Sequence, residues 1–274
     1  MKNQNPILHT PEGVRDIYGS EFVQKFELQQ LLYRVLAGQG YQGIETPTFE
    51  FFDVFSREVG TVPSRELYKF FDKEGNTLAL RPDMTPSIAR AVSKYFHDET
   101  PIRLCYMGNT FINYDKYQGR LKETTQLGAE LMGEESVEAD VELLSVLIEA
   151  LKAAGLREFQ VSVGQVEFFK ALLKEAGIGS EAEESLRRLI ADKNRFAAEE
   201  LLAEYELAGE LREAFLEMTT LSGTTEVIEQ ARALTKNEEA LRALARLEAI
   251  YEGLKEKGCE RYITFVLSML SKYN

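Results

Sequence analysis

Apolar positions in residues 20–36 recur at helical spacing: Phe22, Val23, Phe26, Leu31, Leu32, Val35 and Leu36 form one broad stripe, and Gly38 and Gly40 follow where a helix would stop. An amphipathic helix is predicted there. The next stretch, GYQGIETPTFEFF, is rich in β-branched and aromatic residues and predicts a strand over 43–50, which Pro47 restricts to a sheet edge or an interface. The run LYKFFDKEGNTLALRP alternates apolar and polar positions on both sides of the turn-forming residues 72–76. It predicts a β-hairpin. A helix over 86–96 follows, with Pro86 in its first turn and Ile88, Ala91, Val92 and Tyr95 on one face.

Residues 102–111 and 123–132 read as a second antiparallel pair, joined by the polar loop INYDKYQGRLK. A helix over 137–154 places Val141, Leu144, Ile148 and Leu151 three or four apart, stops at Gly155, and is succeeded by the strand-like REFQVSVGQV. From 167 to 258 the composition shifts to Ala, Glu, Leu, Lys and Arg, interrupted only at GIGS, LSGTT and similar caps. No strict heptad persists there, so a solvated helical insertion is expected in preference to a coiled-coil partner site. Residues 262–267 again read as a strand. The pattern predicts an α+β fold with a mixed, mostly antiparallel sheet flanked by helices: a core domain of residues 1–166 plus 259–274, interrupted by the helical insertion 167–258. The chain stops just after an apolar strand, so further strands of that sheet are expected to lie outside it.

Composition narrows the function. The 274 residues are 44% hydrophobic and 28% charged, enough for a sizeable core and incompatible with disorder. Acidic side chains number 45 against 32 basic, a formal net charge of -13 spread along the chain, which disfavours a binder that tracks phosphates. Cys105 and Cys259 are the only cysteines, and MKNQNPILHTPEG lacks the basic region and apolar run of a secretory signal. A cytoplasmic location is expected. No apolar run reaches the roughly 18–20 residues of a membrane helix. With His9 and His97 as the only histidines, a histidine-rich metal site or a Ser-His-Asp hydrolase has little material, and no metal or cofactor is expected.

Two constellations stand out from core patterning. In Ala79-Leu80-Arg81-Pro82-Asp83-Met84-Thr85, a strand delivers an arginine, a carboxylate and a hydroxyl to the N-terminal end of the next helix. In Thr125-Gln126-Leu127-Gly128-Ala129-Glu130-Leu131, strand periodicity puts Gln126, Gly128 and Glu130 on one face and the apolar residues on the other. A glutamine and a glutamate with glycine between them leave a floor on which a small ligand can lie. A free amino acid needs a carboxylate acceptor, a neutral polar partner and a donor, and Asp83, Thr85, Gln126, Glu130 and a nearby arginine supply that set. Taken singly, Asp83 could cap the following helix, Arg81 could cover a surface, and Gln126 and Glu130 could face solvent on a half-exposed sheet. Their joint occurrence points to a site.

The ordered segments TPEGVRDIYG, GYQGIETPTFE, LALRPDMT and YMGNTFINYDKYQGRLKETTQLGAELMG resemble the catalytic core of the histidyl-tRNA synthetase family, including its non-synthetase branch, the regulatory subunits of ATP phosphoribosyltransferase. The resemblance covers residues 10–166 and resumes at 261–274, with the helical block where the family carries an insertion. It implies a class II aminoacyl-tRNA synthetase fold and a histidine pocket. By resemblance, Asp83 and Gln126 would take the α-amino group and Glu130 an imidazole nitrogen, with Thr85 in the same segment. Arg120 falls at a basic position of the family loop, so Arg81 and Arg120 are possible anion contacts. Pro47 resembles the proline of the first class motif at the dimer interface.

One departure separates the branches. Where the synthetases carry Phe-Arg-x-Glu, whose arginine clamps the ATP α-phosphate, this chain reads Phe111-Ile112-Asn113-Tyr114, and the count from Gly108 and back from Gln126 agrees without a gap. Isoleucine cannot supply the fork of donors that a phosphate needs. The glycine-rich third class motif and an anticodon-binding domain do not follow Lys272, and the family's late tyrosine pair and arginine would lie beyond Asn274. The resemblance therefore implies a non-catalytic, dimeric regulatory subunit of ATP phosphoribosyltransferase, the first enzyme of histidine biosynthesis. Its partner would be a short-form catalytic subunit and its effector histidine, with neither tRNA nor a membrane expected as a partner. Two rivals stay open at this point: a fragment of a histidyl-tRNA synthetase, and a histidine-binding paralogue that regulates some other protein.

Overall fold

The computed structural model describes residues 8–56, 62–97, 100–114 and 119–270, and the chain divides into two compact units. The first comprises Met1–Glu134 with Glu149–Gly155, the second Glu135–Ile148 with Leu156–Lys272.

In the first unit the long helix α1 (Gly19–Gly38) forms where the apolar stripe predicts it. Its stripe is not core, however: Leu36 is its buried residue, whereas Phe22, Val23, Phe26, Leu28, Leu31 and Tyr33 are exposed. The strand expected over 43–50 is instead two short ones, β1 (Gln42–Gly43) and β2 (Phe49–Phe51), with Pro47 exposed between them. Proline lacks the N–H that a continuous ladder would need there. After the single turn α2 (Asp53–Ser56), β3 (Lys69–Phe71) and β4 (Thr77–Leu80) make the predicted hairpin. Its turn is held by Asp72, whose carboxylate accepts from the Glu74 and Asn76 amides at 3.0 and 2.8 Å, with Gly75 at φ +86°. Helix α3 (Thr85–Tyr95) follows directly, and β5 (Ile102–Phe111) and β6 (Glu123–Met132) match their predicted bounds.

Two small sheets result, ordered β1-β5-β6 and β2-β4-β3, with β1 parallel to β5 and the other pairs antiparallel. Met84 and Ile88 of α3 pack on Ile102, Leu104 and Tyr106, the even-numbered face of β5. Helix α1 packs against the same two strands, and a groove of about 720 Å³ beside it is lined by Phe22 and Phe26 together with Asn109, Glu123 and Thr125 of the odd-numbered face.

In the second unit, helices α4 (Val137–Ala153, of which residues 137–148 belong here), α5 (Val166–Ala176), α6 (Ser180–Ala191), α7 (Arg195–Glu204), α8 (Gly209–Glu217), α9 (Thr225–Ala233) and α10 (Glu238–Glu256) enclose a sheet ordered β7-β9-β8. Its strands are β7 (Val161–Val163), β8 (Ser222–Gly223) and β9 (Ile263–Val266). Strand β8 lies inside LSGTT, within the block read from sequence as wholly helical. Two residues are too few for a periodicity to register. Phe168, Phe169, Leu172, Phe215, Leu244 and Phe265 share one core with Val141 and Ile148. Packing thus joins residues 167–258 to the segments on either side of them, and the compact units do not part at the expected boundaries 1–166 plus 259–274 against 167–258. Asn237 caps α10, its side chain accepting from the Glu239 and Ala240 amides at 2.9 and 3.0 Å.

Phe265, fully buried in β9, carries this sheet into the core together with Ile263. Phe265→Ala is expected to lower stability by about 3–5 kcal/mol in urea unfolding followed by far-UV circular dichroism. A loss of less than ~1 kcal/mol would mean that the sheet is peripheral to the core.

Candidate functional site

The site is built on the β5–β6 ladder. The pairing Leu104↔Glu130, Tyr106↔Gly128 and Gly108↔Gln126 sets the polar stripe of β6 beside the face that carries α3. Helix α3 begins within reach of it because Leu80, Arg81 and Pro82 run from the end of β4 straight into its first turn.

Two side-chain pairs join the helix start to the strand. Thr85 donates its hydroxyl to Glu130 Oε1 at 2.7 Å, and Gln126 Nε2 donates to Asp83 Oδ1 at 3.3 Å. Asp83 Oδ1 also accepts from the Met84 amide at 2.7 Å, which fixes its rotamer at the helix entrance. All four residues expected from sequence at a histidine site are therefore brought together. Gln126 Oε1 is buried and has no hydrogen-bond partner among the described residues. A buried acceptor left open beside a carboxylate calls for a donor from a ligand, and an ammonium group supplies one.

Burial pushes the Glu130 carboxyl above the usual glutamate range; the Thr85 hydrogen bond opposes the rise and the nearby Asp83 charge adds to it. A partly buried carboxyl of this kind is a ready partner for an imidazole nitrogen, with which it can share a proton. Tyr106, not among the residues expected from sequence, belongs to the same floor. A Cβ on Gly128 would run into its hydroxyl, so the glycine exists at this point to let the ring lie across the sheet. The signal was available in the pairing register, since Tyr106 is the residue opposite Gly128.

Arg81 is 6% exposed and does not present itself to an anion. Its Nε donates to the Asn109 carbonyl at 2.7 Å, and Nη1 to the carbonyls of Thr46 at 2.7 Å and Pro47 at 3.3 Å. The expectation of an anion contact at Arg81 is corrected accordingly: those donors hold backbone. Arg120 is exposed and lies 5.3 Å from the Tyr114 ring centroid, a cation–π placement. Pro47 is exposed next to the apolar residues Phe49 and Phe51. Arg90 of α3 reaches Glu50 of β2 at 2.8 Å, so the helix that starts the site is tied to that strand as well.

At the end of β5, Ile112 continues the ladder through its amide to the Lys122 carbonyl at 2.9 Å, and its side chain is partly buried. Tyr114, at the end of the same stretch, sits under Arg120. Residues 115–118 of the same loop lie outside the described residues. Among the described residues, no group of three or more His, Cys, Asp and Glu could hold a metal ion, and no helix is long and apolar enough to cross a membrane.

Comparison with known proteins identifies the family. The family model for histidyl-tRNA synthetase matches residues 13–274. The ATP phosphoribosyltransferase regulatory subunit of Acetivibrio thermocellus is 39% identical over 268 residues, covering 97% of this chain and 64% of that protein. The protein of the same name from Thermoanaerobacter pseudethanolicus is 38% identical, covering 98% of this chain and 70% of its own length. The chain thus spans less than two thirds of the first of these relatives and slightly more of the second. A crystal structure described as an ATP phosphoribosyltransferase regulatory subunit/histidyl-tRNA synthetase from Bacillus halodurans superposes with a TM-score of 0.88 at 34% identity, over 96% of this chain and 69% of that one. Histidyl-tRNA synthetase from Nostoc, at 17% identity and a TM-score of 0.80 over 97% of this chain and 62% of that one, shares the fold. The class II synthetase-like α+β architecture expected from sequence is therefore present.

Glu130 provides a test of the site's electrostatics. Its carboxyl is raised in the folded state, so the ionised form is disfavoured there and folding stability falls as pH climbs through the glutamate range towards neutrality. Glu130→Gln keeps an oxygen to accept from Thr85 and carries no charge. The variant should melt above wild type at pH 7, with the difference shrinking towards pH 4; a difference independent of pH would contradict the burial argument.

Proposed function

The chain belongs to the histidyl-tRNA synthetase-like family that includes the ATP phosphoribosyltransferase regulatory subunits, and on that premise we propose that it is a non-catalytic, histidine-sensing subunit. It binds histidine in a former aminoacylation pocket, activates a short-form ATP phosphoribosyltransferase catalytic subunit by assembling with it, and carries feedback inhibition by the end product of the pathway.

The observation that carries this reading is the open acceptor of Gln126 beside Asp83, with Glu130 four residues further along the same strand face. An α-ammonium has three N–H donors and one positive charge, and Asp83 with Gln126 Oε1 offers matching acceptors. Glu130, steadied by Thr85, faces the position of a side-chain N–H. The absence of an arginine at Ile112 removes the group that would clamp an α-phosphate, so the pocket is suited to hold the amino acid without activating it. Transfer of the phosphoribosyl group takes place on the partner subunit.

Self-association is part of the same reading. The exposed apolar residues of α1, and separately Pro47, Phe49 and Phe51, offer surfaces that a second copy would cover. For histidine to act as an inhibitor it must bind one assembly state more tightly than another, by a factor of about 5–150.

Two measurements test the proposal together. Added to a short-form catalytic subunit, this chain should raise phosphoribosyl transfer to ATP, and histidine should lower it again. In calorimetry, Glu130→Ala should bind histidine roughly 10–150-fold more weakly than wild type, the scale of one lost hydrogen bond to a charged group. A catalytic subunit whose activity is unchanged by the chain would overturn the regulatory role. Equal histidine affinity in wild type and Glu130→Ala would overturn the pocket.

A further inference from the structure

Arg81 holds more of the site together than a surface arginine could. Its backbone amide donates to the Thr48 carbonyl at 3.0 Å, and its own carbonyl accepts from the Phe111 amide at 2.9 Å. Its guanidinium takes the carbonyls of Thr46, Pro47 and Asn109. One residue thus binds the segment 46–48 to the end of β5. The remaining nitrogen, Nη2, lies over Gly108, where any Cβ would run into it. Gly108 is the cross-strand partner of Gln126, Gln126 bonds to Asp83, and Asp83 is two residues beyond Arg81. Arg81, Gly108, Gln126 and Asp83 therefore close a ring of contacts.

We propose that Arg81 is a positioning residue for histidine: the guanidinium, spread across three carbonyls and seated on Gly108, sets the separation of Asp83 and Gln126 that receives the ammonium group. A buried charge held by neutral carbonyls is a costly way to staple a scaffold, because desolvation is not repaid by an opposite charge in contact. Burial lowers the arginine's pKa, and the field of Glu45 offsets that only in part. Arginine is required for the geometry. A lysine ammonium is a single point and cannot reach Asn109 on one side and Thr46 and Pro47 on the other. The same clamp links the pocket to Pro47 and, through Thr48, to β2, so the position of that exposed segment and the affinity for histidine become coupled quantities.

The inference rests on reading the pocket as a histidine site, and the test separates the two. Calorimetry with histidine is run on wild type, Arg81→Lys, Asp83→Asn and the double variant, each checked for native circular dichroism. Arg81→Lys should weaken histidine binding by roughly tenfold or more, and Asp83→Asn should do so too, but the double variant should bind within about twofold of Asp83→Asn, because Arg81 acts through Asp83. Gly108→Ala displaces the guanidinium while retaining it, and should reproduce the Arg81→Lys loss; it replaces that variant in the cycle if the lysine form does not fold. Wild-type affinity in Arg81→Lys, or losses that multiply in the double variant, would overturn the positioning role and leave the pocket standing. No uptake of histidine by wild type would overturn the pocket itself, and the positioning role with it.

Discussion

The uninterrupted antiparallel ladder between β5 and β6 is the constraint on which the rest of the site depends. From Ile102↔Met132 to Phe111↔Glu123 it runs without a bulge, and a slip of one residue would turn every side chain to the opposite face. The register places Gln126, Gly128 and Glu130 in a row, sets Tyr106 opposite Gly128 so that its ring can cross the sheet, and puts Gly108 opposite Gln126 where Arg81 needs room. It also ends where it must. The residue after the last rung is Ile112, whose amide extends the ladder to the Lys122 carbonyl.

The proposed function follows from what this frame keeps and what it lacks. Two carboxylates and an amide are held in fixed places by Met84, Thr85 and each other, and one buried acceptor is left over. Burial disfavours the charge on Glu130, and in the proposed role a cationic ligand would relieve that cost. With no guanidinium fork at position 112, the ligand's carboxylate meets nothing that would bring a nucleotide phosphate against it. A pocket that binds an amino acid and does not activate it is what a sensor of that amino acid requires.

Much of this was legible in the chain because the relevant signals are local and periodic. Period-two alternation gave β5 and β6 to the residue, and the same alternation put Gln126 and Glu130 together; the Gly-Asn turn marked the hairpin, and Pro86 marked the start of α3. What stayed hidden depends on contacts between distant segments. Arg81 looks like any strand-end arginine until the carbonyls of Thr46, Pro47 and Asn109 are seen around it. Tyr106 does not stand out because one residue alone does not announce the glycine across the ladder. The two-residue strand β8 escaped because it is recognisable only by its partner β9, and the apolar stripe of α1 predicts a buried face in whichever molecule covers it, which a single chain does not reveal.

The most direct measurement is a pair of crystal structures of this chain, one grown with histidine and one with ATP. The account predicts histidine on the β6 floor, its ammonium between Asp83 and Gln126 Oε1 and its imidazole against Glu130, and no nucleotide beside Ile112. Histidine bound elsewhere, or an ATP ordered at the end of β5, would contradict it.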